Sequence, residues 1–537
     1  ADDPLERWPK AAIDYAIKDA FYAKRIAEEQ EISRQNVAEV NEGVDPFEVS
    51  EFRAFADFCL YLMSCRGLRV DADAKAEIEE MLEEKLHPDN HRQMVEHGIL
   101  RPAVPAKPHA NGAKNPDGTP KMTQPKKESV NKKRLQEIIE GICDENDLEL
   151  KLTDKGFVCA NSEVITNLHG YHPALEEYKN RQELQKIVTT ELPRMCHENG
   201  EDADVVHPMY DVLKRTGRTS SFASKNYPSI NCQNVDPRVR GCFIPRDGFL
   251  LLSCDYSQME LCTLAQTCLD LFGSSTMAEK INGGYDVHAY LGASIAREMC
   301  ESFEPSSDDE ENYHAFMAFK DENFKEWKSY RTLAKPTGLG YPGGLGPDTF
   351  VTYAKATYGL SVDTDTAKQL RNVWFQTYPE MERYFEYINN DCVDHRNSDI
   401  DGELYAYDTP FGMRRPASTF CAAANGKGLQ SPGAEGALSG VVNVMSLCHD
   451  PSEGSVLHGN LFPICFIHDE ILAEVNDDPT IRQECVDVMQ NVMIDSMRVV
   501  TPDVEARTEA ALMRRWDKRA EPVFDEQGRL SVWEPDQ

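Results

Sequence analysis

The feature that most constrains this chain is a set of apolar runs that end in acid. Phe249-Leu250-Leu251-Leu252 leads through Ser253-Cys254 into Asp255-Tyr256-Ser257-Gln258-Met259-Glu260-Leu261. Pro463-Ile464-Cys465-Phe466-Ile467 leads into His468-Asp469-Glu470, and Ile471-Leu472-Ala473-Glu474-Val475 follows at once. Runs of this kind predict strands that are half or fully buried. A carboxylate at the end of such a strand is costly unless a cation or a hydrogen-bond donor meets it. Asp255 and Asp469 stand 214 positions apart, so only folding can join them. Joined, they form an oxygen-rich site suited to Mg²⁺. Two such ions about 3.5–4 Å apart can activate an attacking hydroxyl and stabilise a leaving phosphate oxygen.

At 537 residues the chain is too long for one simple core and predicts several domains. No run approaches the roughly 18 apolar residues of a membrane span. The opening Ala1-Asp2-Asp3-Pro4 carries neither a basic, apolar leader nor an initiator Met, which predicts a trimmed N-terminus without a signal peptide. Sixteen scattered cysteines without a Cys-x-x-Cys pair argue against a zinc ribbon or redox motif and predict a reducing cytoplasm. The net charge of −34, taken alone, argues against a nucleic-acid partner. Residues 101–134 oppose it. They hold six prolines and nine Lys/Arg, among them Lys126, Lys127, Lys132 and Lys133, against Asp117 and Glu128, a local balance of +7. That composition predicts a disordered, solvated loop, a mobile tip able to follow phosphates without reading sequence, or both.

Elsewhere the apolar spacing predicts helix over 5–40, near 47–65, over 74–86, from Leu135 and from Tyr178 to Leu192. Residues 205–262 mix loop and strand, and 263–400 read as mostly helical. Asp308 to Glu311 form an acidic insertion expected to be a solvated loop. Short strands and helices alternate over 403–537.

The Asp255–Leu261 and His468-Asp469-Glu470 segments resemble motifs A and C of family A DNA polymerases, phage members most of all. The intervening landmarks fall in the family's order over residues 67–475. The resemblance implies an α+β right-hand polymerase fold with an antiparallel palm sheet, a helical thumb and helical fingers. It divides the chain into an exonuclease remnant and linker (1–45), palm (46–71, 191–262 and 411–537), thumb (72–190) and fingers (263–410).

It also implies roles. Asp255 and Asp469 are metal-binding carboxylates for two Mg²⁺ ions, with Mn²⁺ able to substitute; Tyr256 adds a backbone carbonyl and Glu470 a supporting acid. Glu260 takes the sugar-gate position, packing where a ribose 2′-hydroxyl would project, and so favours deoxynucleotides. Arg331 and Lys335, four apart on one helix face, reach the triphosphate, as does His288. Arg218 and Gln430 match donors that sense base pairs in the minor groove, where every correct pair offers N3 or O2 acceptors. Asn231, Gln233 and Arg240 fall in the same DNA-binding stretch, and His468 near the primer-terminal phosphate. The partners implied are primer–template DNA and dNTPs, with a processivity factor or a separate exonuclease, and no membrane. Tyr15 and Asp19 resemble the last motif of a 3′–5′ exonuclease whose other motifs are absent from this sequence.

The sequence departs from the family in the fingers. Leu339 stands where an aromatic residue is usual and Gly343 where a tyrosine is usual, and Pro336 predicts a kinked or shortened helix. Tyr341 is the one nearby ring that could replace those missing. An inactive, polymerase-derived DNA-binding factor and an RNA-synthesising relative are the alternatives; Glu260 argues against the second.

Overall fold

The computed structural model describes residues 50–108, 114–117, 119–146, 148–197, 199–214, 216–393, 407–410, 414–415 and 419–535, with parts of 10–35. Tyr15 and Asp19 lie outside the described residues.

The chain builds helix α1 (Ser50–Arg66), α2 (Lys132–Glu145), α3 (Pro173–Lys186), strand β1 (Phe249–Ser257), then α4 (Met259–Phe272), α5 (Val287–Met299) and α6 (Phe324–Gly340). After these come α7 (Ser431–His449), β2 (Leu461–Ile467), β3 (Glu470–Asn476), α8 (Pro479–Met497) and β4 (Arg507–Met513). The four strands form one antiparallel sheet in the order β2-β3-β1-β4.

That sheet is covered on both faces, which is why its strands read as nearly continuous apolar runs instead of alternating ones. Leu250, Leu252, Cys254 and Tyr256 of β1 pack with Ile471, Ala473, Ala510 and Leu512 against α1, α7 and α8. Leu251, Leu472, Ala511 and Met513 face a second core with Ile230, Val235, Phe243 and Trp516. The small residues of α7 let it press close. A Cβ at Gly440 would lie 2.7 Å from the Tyr256 hydroxyl, which itself donates to the Met493 carbonyl at 2.7 Å. A third core, formed by α4 to α6 and the helices after them, holds Leu264, Tyr290, Phe316, Tyr341, Trp374 and Tyr384. A fourth gathers Met94, Ile139, Leu168 and Leu175 around α2 and the start of α3.

Three local expectations need correction. The basic stretch is a ribbon, not a disordered loop. Leu100 pairs with Val130 and Arg101 with Ser129, and single bridges continue at Val104–Lys126, Pro108–Met122 and Lys114–Pro120. Its prolines lack the donor a regular ladder needs, so pairing survives only as isolated contacts. The acids from Asp308 start a helix, Asp309–Glu322, with the Asp308 carboxylate accepting from Glu310 N and Glu311 N. Negative charge is favoured there by the helix dipole. Helix α6 runs through Pro336 and continues to Gly340, so the proline does not shorten it.

Glu474 of β3 is fully buried between two arginines. Arg66 Nη2 reaches it at 2.5 Å, and Arg246 Nη1 and backbone N at 2.9 Å each. Removing one partner of a buried ion pair strands the other charge in low dielectric. Glu474→Ala should therefore cost about 3–5 kcal/mol in a urea unfolding titration. A cost below about 1 kcal/mol would mean that water reaches the two arginines.

Candidate active site

The pairing of β1 with its neighbours puts three acids in one row: Glu470 opposite Asp255 on one side and Glu509 opposite it on the other. Residues directly opposite on adjacent strands share a face, so all three carboxylates point the same way. Asp469 sits beside them in the two-residue turn from β2 to β3. His468, first in that turn, has φ +61°, and Gln258, at the start of α4, has φ +57°. These are the non-glycine positive-φ residues among those described, and each adjoins one of the acidic motifs. Non-glycine residues held this way cost on the order of 1–3 kcal/mol and cluster at functional sites.

The electrostatics are those of an acidic cluster only partly compensated by nearby cations. The Asp255 carboxyl is pushed up to about 8, by the protein crowded round it and then by the charges of Asp469, Glu470 and Glu509. Its side chain is nevertheless exposed, so the neighbouring like charges count for more than the crowding. Asp469, half-buried, is pushed up to about 6 by burial and then by Glu260, while Arg218 pulls it down. Burial also raises Glu470, whose carboxylate accepts from the Ser253 hydroxyl at 2.6 Å. Among the described residues no three His, Cys, Asp or Glu side chains form a ready-made cation cage.

An open cleft of about 350 Å³ leads away from these acids, lined by Arg218, Gln258, Met259, Glu260, Leu261, His288, Leu339, His468 and Asp469. Arg218 forms an ion pair with Glu260. Arg331, Lys335 and Leu339, spaced four apart on α6, are all half-buried. His288 is pushed down to about 4 by burial and by the cations Lys335 and Arg331, against the pull of Asp286. Arg331 is held by Asp286, a residue its local sequence does not mark as part of a site: the guanidinium Nε and Nη2 lie 2.8 and 2.7 Å from its Oδ2. The signal for Asp286 was an Asp just before an apolar helix start, which predicts only a cap.

Other candidates sit elsewhere. Gln233 is buried, its Oε1 accepting from Ser221 N at 2.8 Å and its Nε2 donating to Thr219 Oγ1 at 3.0 Å, so it braces the Arg218 loop from behind. Arg240 is buried over the Trp516 ring, 4.4 Å from its centroid, and is a counter-charge to Glu470. The Asn231 Oδ1 is buried without a hydrogen-bond partner among the described residues. Gln430 ends the turn Asn425–Gln430 that opens α7, and the next residue, Ser431, donates to Thr216 O at 2.8 Å, bringing the Gln430 and Arg218 segments together. Lys126, Lys127, Lys132 and Lys133 are exposed on and beside the ribbon. Tyr341 replaces no missing ring in the cleft: it is fully buried, stacked 4.5 Å from Phe350, its hydroxyl donating to Ala367 O at 2.6 Å. Gly343 leaves no hole either. A Cβ there would fall 2.7–2.8 Å from the Asn425 amide, whose Nδ2 donates to Cys421 O at 2.9 Å and Gly343 O at 3.3 Å.

A four-stranded antiparallel sheet with acids at one end, together with two separate helical cores, makes up a right-hand polymerase fold. The comparisons agree. The model of DNA polymerase family A matches residues 120–311. DNA polymerase I of Aquifex aeolicus (strain VF5) is 23% identical over 373 residues, 69% of this chain and 56% of that protein. The thermostable DNA polymerase I of Thermus filiformis is 31% identical over 135 residues, 24% of this chain and 15% of that one. The fold aligns with the POL domain of Pol1 from M. smegmatis, solved in complex with DNA primer-template and dNTP, at a TM-score of 0.58 and 17% identity, covering 87% of this chain and 70% of that one. The chain is thus similar to DNA polymerase family A in residues 120–311 and shares the fold of a family member over most of its length. It spans a little over half the length of the Aquifex relative.

Two outcomes follow from this geometry. Gly343→Ala should destabilise by about 1–3 kcal/mol through overpacking against Asn425, and adding Asn425→Ala should recover part of that loss. Strictly additive losses in the double-mutant cycle would refute the contact. The second concerns pH. Asp255 and Asp469 both titrate above the usual 3.8, so their contribution to stability is complete below about pH 4 and is lost as pH rises through about 6 and about 8. Without divalent cations, Tm of the wild type should drop relative to Asp255→Asn between about pH 5 and about pH 9; parallel Tm curves would show that Asp255 titrates normally.

Proposed function

We propose that this chain is a DNA-directed DNA polymerase that adds deoxynucleoside monophosphates to a primer 3′ end, releasing pyrophosphate. One observation carries the reading: segments from five distant parts of the sequence, at Arg218, Gln258–Leu261, His288, Leu339 and His468–Asp469, line a single cleft, and Asp255 lies next to its acidic end, opposite Glu470.

Asp255 and Asp469 are the side chains that would hold Mg²⁺, or Mn²⁺ in its place. Their hard oxygens suit the ion, their raised pKa values mark negative charge that lacks a partner, and Mg²⁺ is commonly completed by substrate phosphates instead of a full protein cage. Bound there, a pair of divalent ions supplies the charge that activates the primer hydroxyl and neutralises the triphosphate. Tyr256 sends its side chain into the opposite core, where its hydroxyl donates to Met493 O, so only its backbone carbonyl could reach such an ion. Lys335 and Arg331 offer cationic donors to the triphosphate. His288, neutral at pH 7, offers a hydrogen bond and no charge. Glu260, steadied by Arg218, narrows the place for a 2′-hydroxyl, and Arg218 and Gln430 meet the minor groove.

The exposed lysines of the ribbon follow backbone phosphates, which reconciles a DNA partner with the overall charge of −34. The four cores support a palm around the sheet, a thumb over 72–190 and fingers over 263–410. A phage-type replicative role is the finer reading, motivated by Leu339 and Gly343; the relatives named above are bacterial.

Primer extension with Mg²⁺ tests this. Wild type should extend, and Asp255→Ala should be slower by a factor on the order of 10³ or more. Glu260→Ala should narrow the preference for dNTP over rNTP by at least about tenfold. Extension by neither the wild type nor any variant would overturn the assignment.

A further inference from the structure

Asp286 does not line the cleft, yet it touches two of the elements that do. It stands at the N-terminus of α5, where its Oδ1 accepts from His288 N at 3.0 Å and Ala289 N at 3.1 Å. Its Oδ2 holds Nε and Nη2 of Arg331 on α6, at 2.8 and 2.7 Å. One carboxylate therefore joins the helix that begins with His288 to the helix that carries Arg331 and Lys335.

An acid beside a triphosphate-binding arginine invites two opposite readings. It could be a placeholder, displaced when the nucleotide arrives, or a fixed anchor. The geometry favours the anchor. To leave Arg331, Asp286 would have to rotate the carboxylate that caps a 13-residue helix and release two backbone donors. The guanidinium has five N–H donors, and Asp286 engages only the Nε–Nη2 edge. Among the described residues no second acceptor engages Arg331, so its remaining donors are open to an anion. A planar fork fixed along one edge loses less freedom when the other edge binds than a loose side chain does.

We propose that Asp286 is a positioning residue for the incoming nucleotide: it locks Arg331 in register with His288 so that both meet the triphosphate together. This rests on the polymerase reading and adds to it a residue that acts through Arg331 without touching substrate. The expected signature is weaker nucleotide binding, with the rate at saturating dNTP reduced much less.

The test uses the full chain on primer–template with Mg²⁺. Correct dNTP is titrated onto a complex with a dideoxy-terminated primer, which reports binding without chemistry, and single-nucleotide insertion is followed on an ordinary primer. Asp286→Ser keeps a capping oxygen but is too short and uncharged to hold Arg331. It should melt near the wild type while the dissociation constant for dNTP rises about tenfold or more. Asp286→Asn, which keeps both the cap and an acceptor, should recover most of that loss. Asp286→Ser combined with Arg331→Ala should bind no worse than Arg331→Ala alone. Wild-type affinity in Asp286→Ser, tighter binding, or losses that multiply in the double variant would each overturn the proposal. Wild-type protein that neither binds dNTP nor extends a primer would instead overturn the polymerase reading, so the two failures are distinct.

Discussion

The hydrogen-bonded register between β1 and β3 is the constraint on which the rest depends. Glu470 lies opposite Asp255, and every pair down to Asn476 and Phe249 follows without a break. A slip of one residue would send Asp255 and Glu470 to opposite faces and expose the Leu250–Cys254 side to the wrong core. The register is secured at both ends. Near Asn476 the buried Glu474 takes Arg66 and Arg246, and at the other end Ser253 donates to Glu470. Both strand faces are apolar, so mispairing would bury no less hydrocarbon. What it would lose is these specific polar contacts, and they fix the pairing where hydrophobicity cannot.

Holding the acids together is a net cost that the surrounding structure bears. Burial and then like charges raise Asp255 and Asp469, and two residues beside them take left-handed backbone without being glycine. Such a site favours a state in which positive charge arrives from outside. Arg218 and Arg240 relieve part of the repulsion, one from the cleft side through Glu260 and Asp469, the other from the core side through Glu470. Arg240 thus acts on the acids without needing to face the cleft.

Much of this was legible in the sequence, for identifiable reasons. Strands buried on both faces write themselves as unbroken apolar runs, so β1, β2 and β3 could be read directly, together with the acids that end them. The four-residue spacing of Arg331, Lys335 and Leu339 could be read as one helix face. What could not be read were contacts between segments far apart. The same polar types serve as cleft donors and as internal braces, so Gln233 and Arg240 carry no local mark of which they are. Tyr341 goes into the core because Phe350, Trp374 and the Ala367 carbonyl wait there, none adjacent in sequence. The acids after Asp308 read as a solvated loop because charge density hides the cap that begins a helix. The basic stretch read as disordered because its pairing is a matter of tertiary context, not of propensity.

The filled space at Gly343 links two parts of the molecule mechanically. The amide that occupies it belongs to Asn425, the first residue of the wide turn that delivers Gln430 to the start of α7, and beside it the Phe420 ring occupies the corresponding space at Gly344. The C-terminal end of α6 is therefore pinned to residues 420–425 like a hinge leaf to its knuckle. Any displacement of that end of α6 must drag the turn along, so that the helix carrying Arg331 and the residue that opens α7, Gln430, become two ends of one lever.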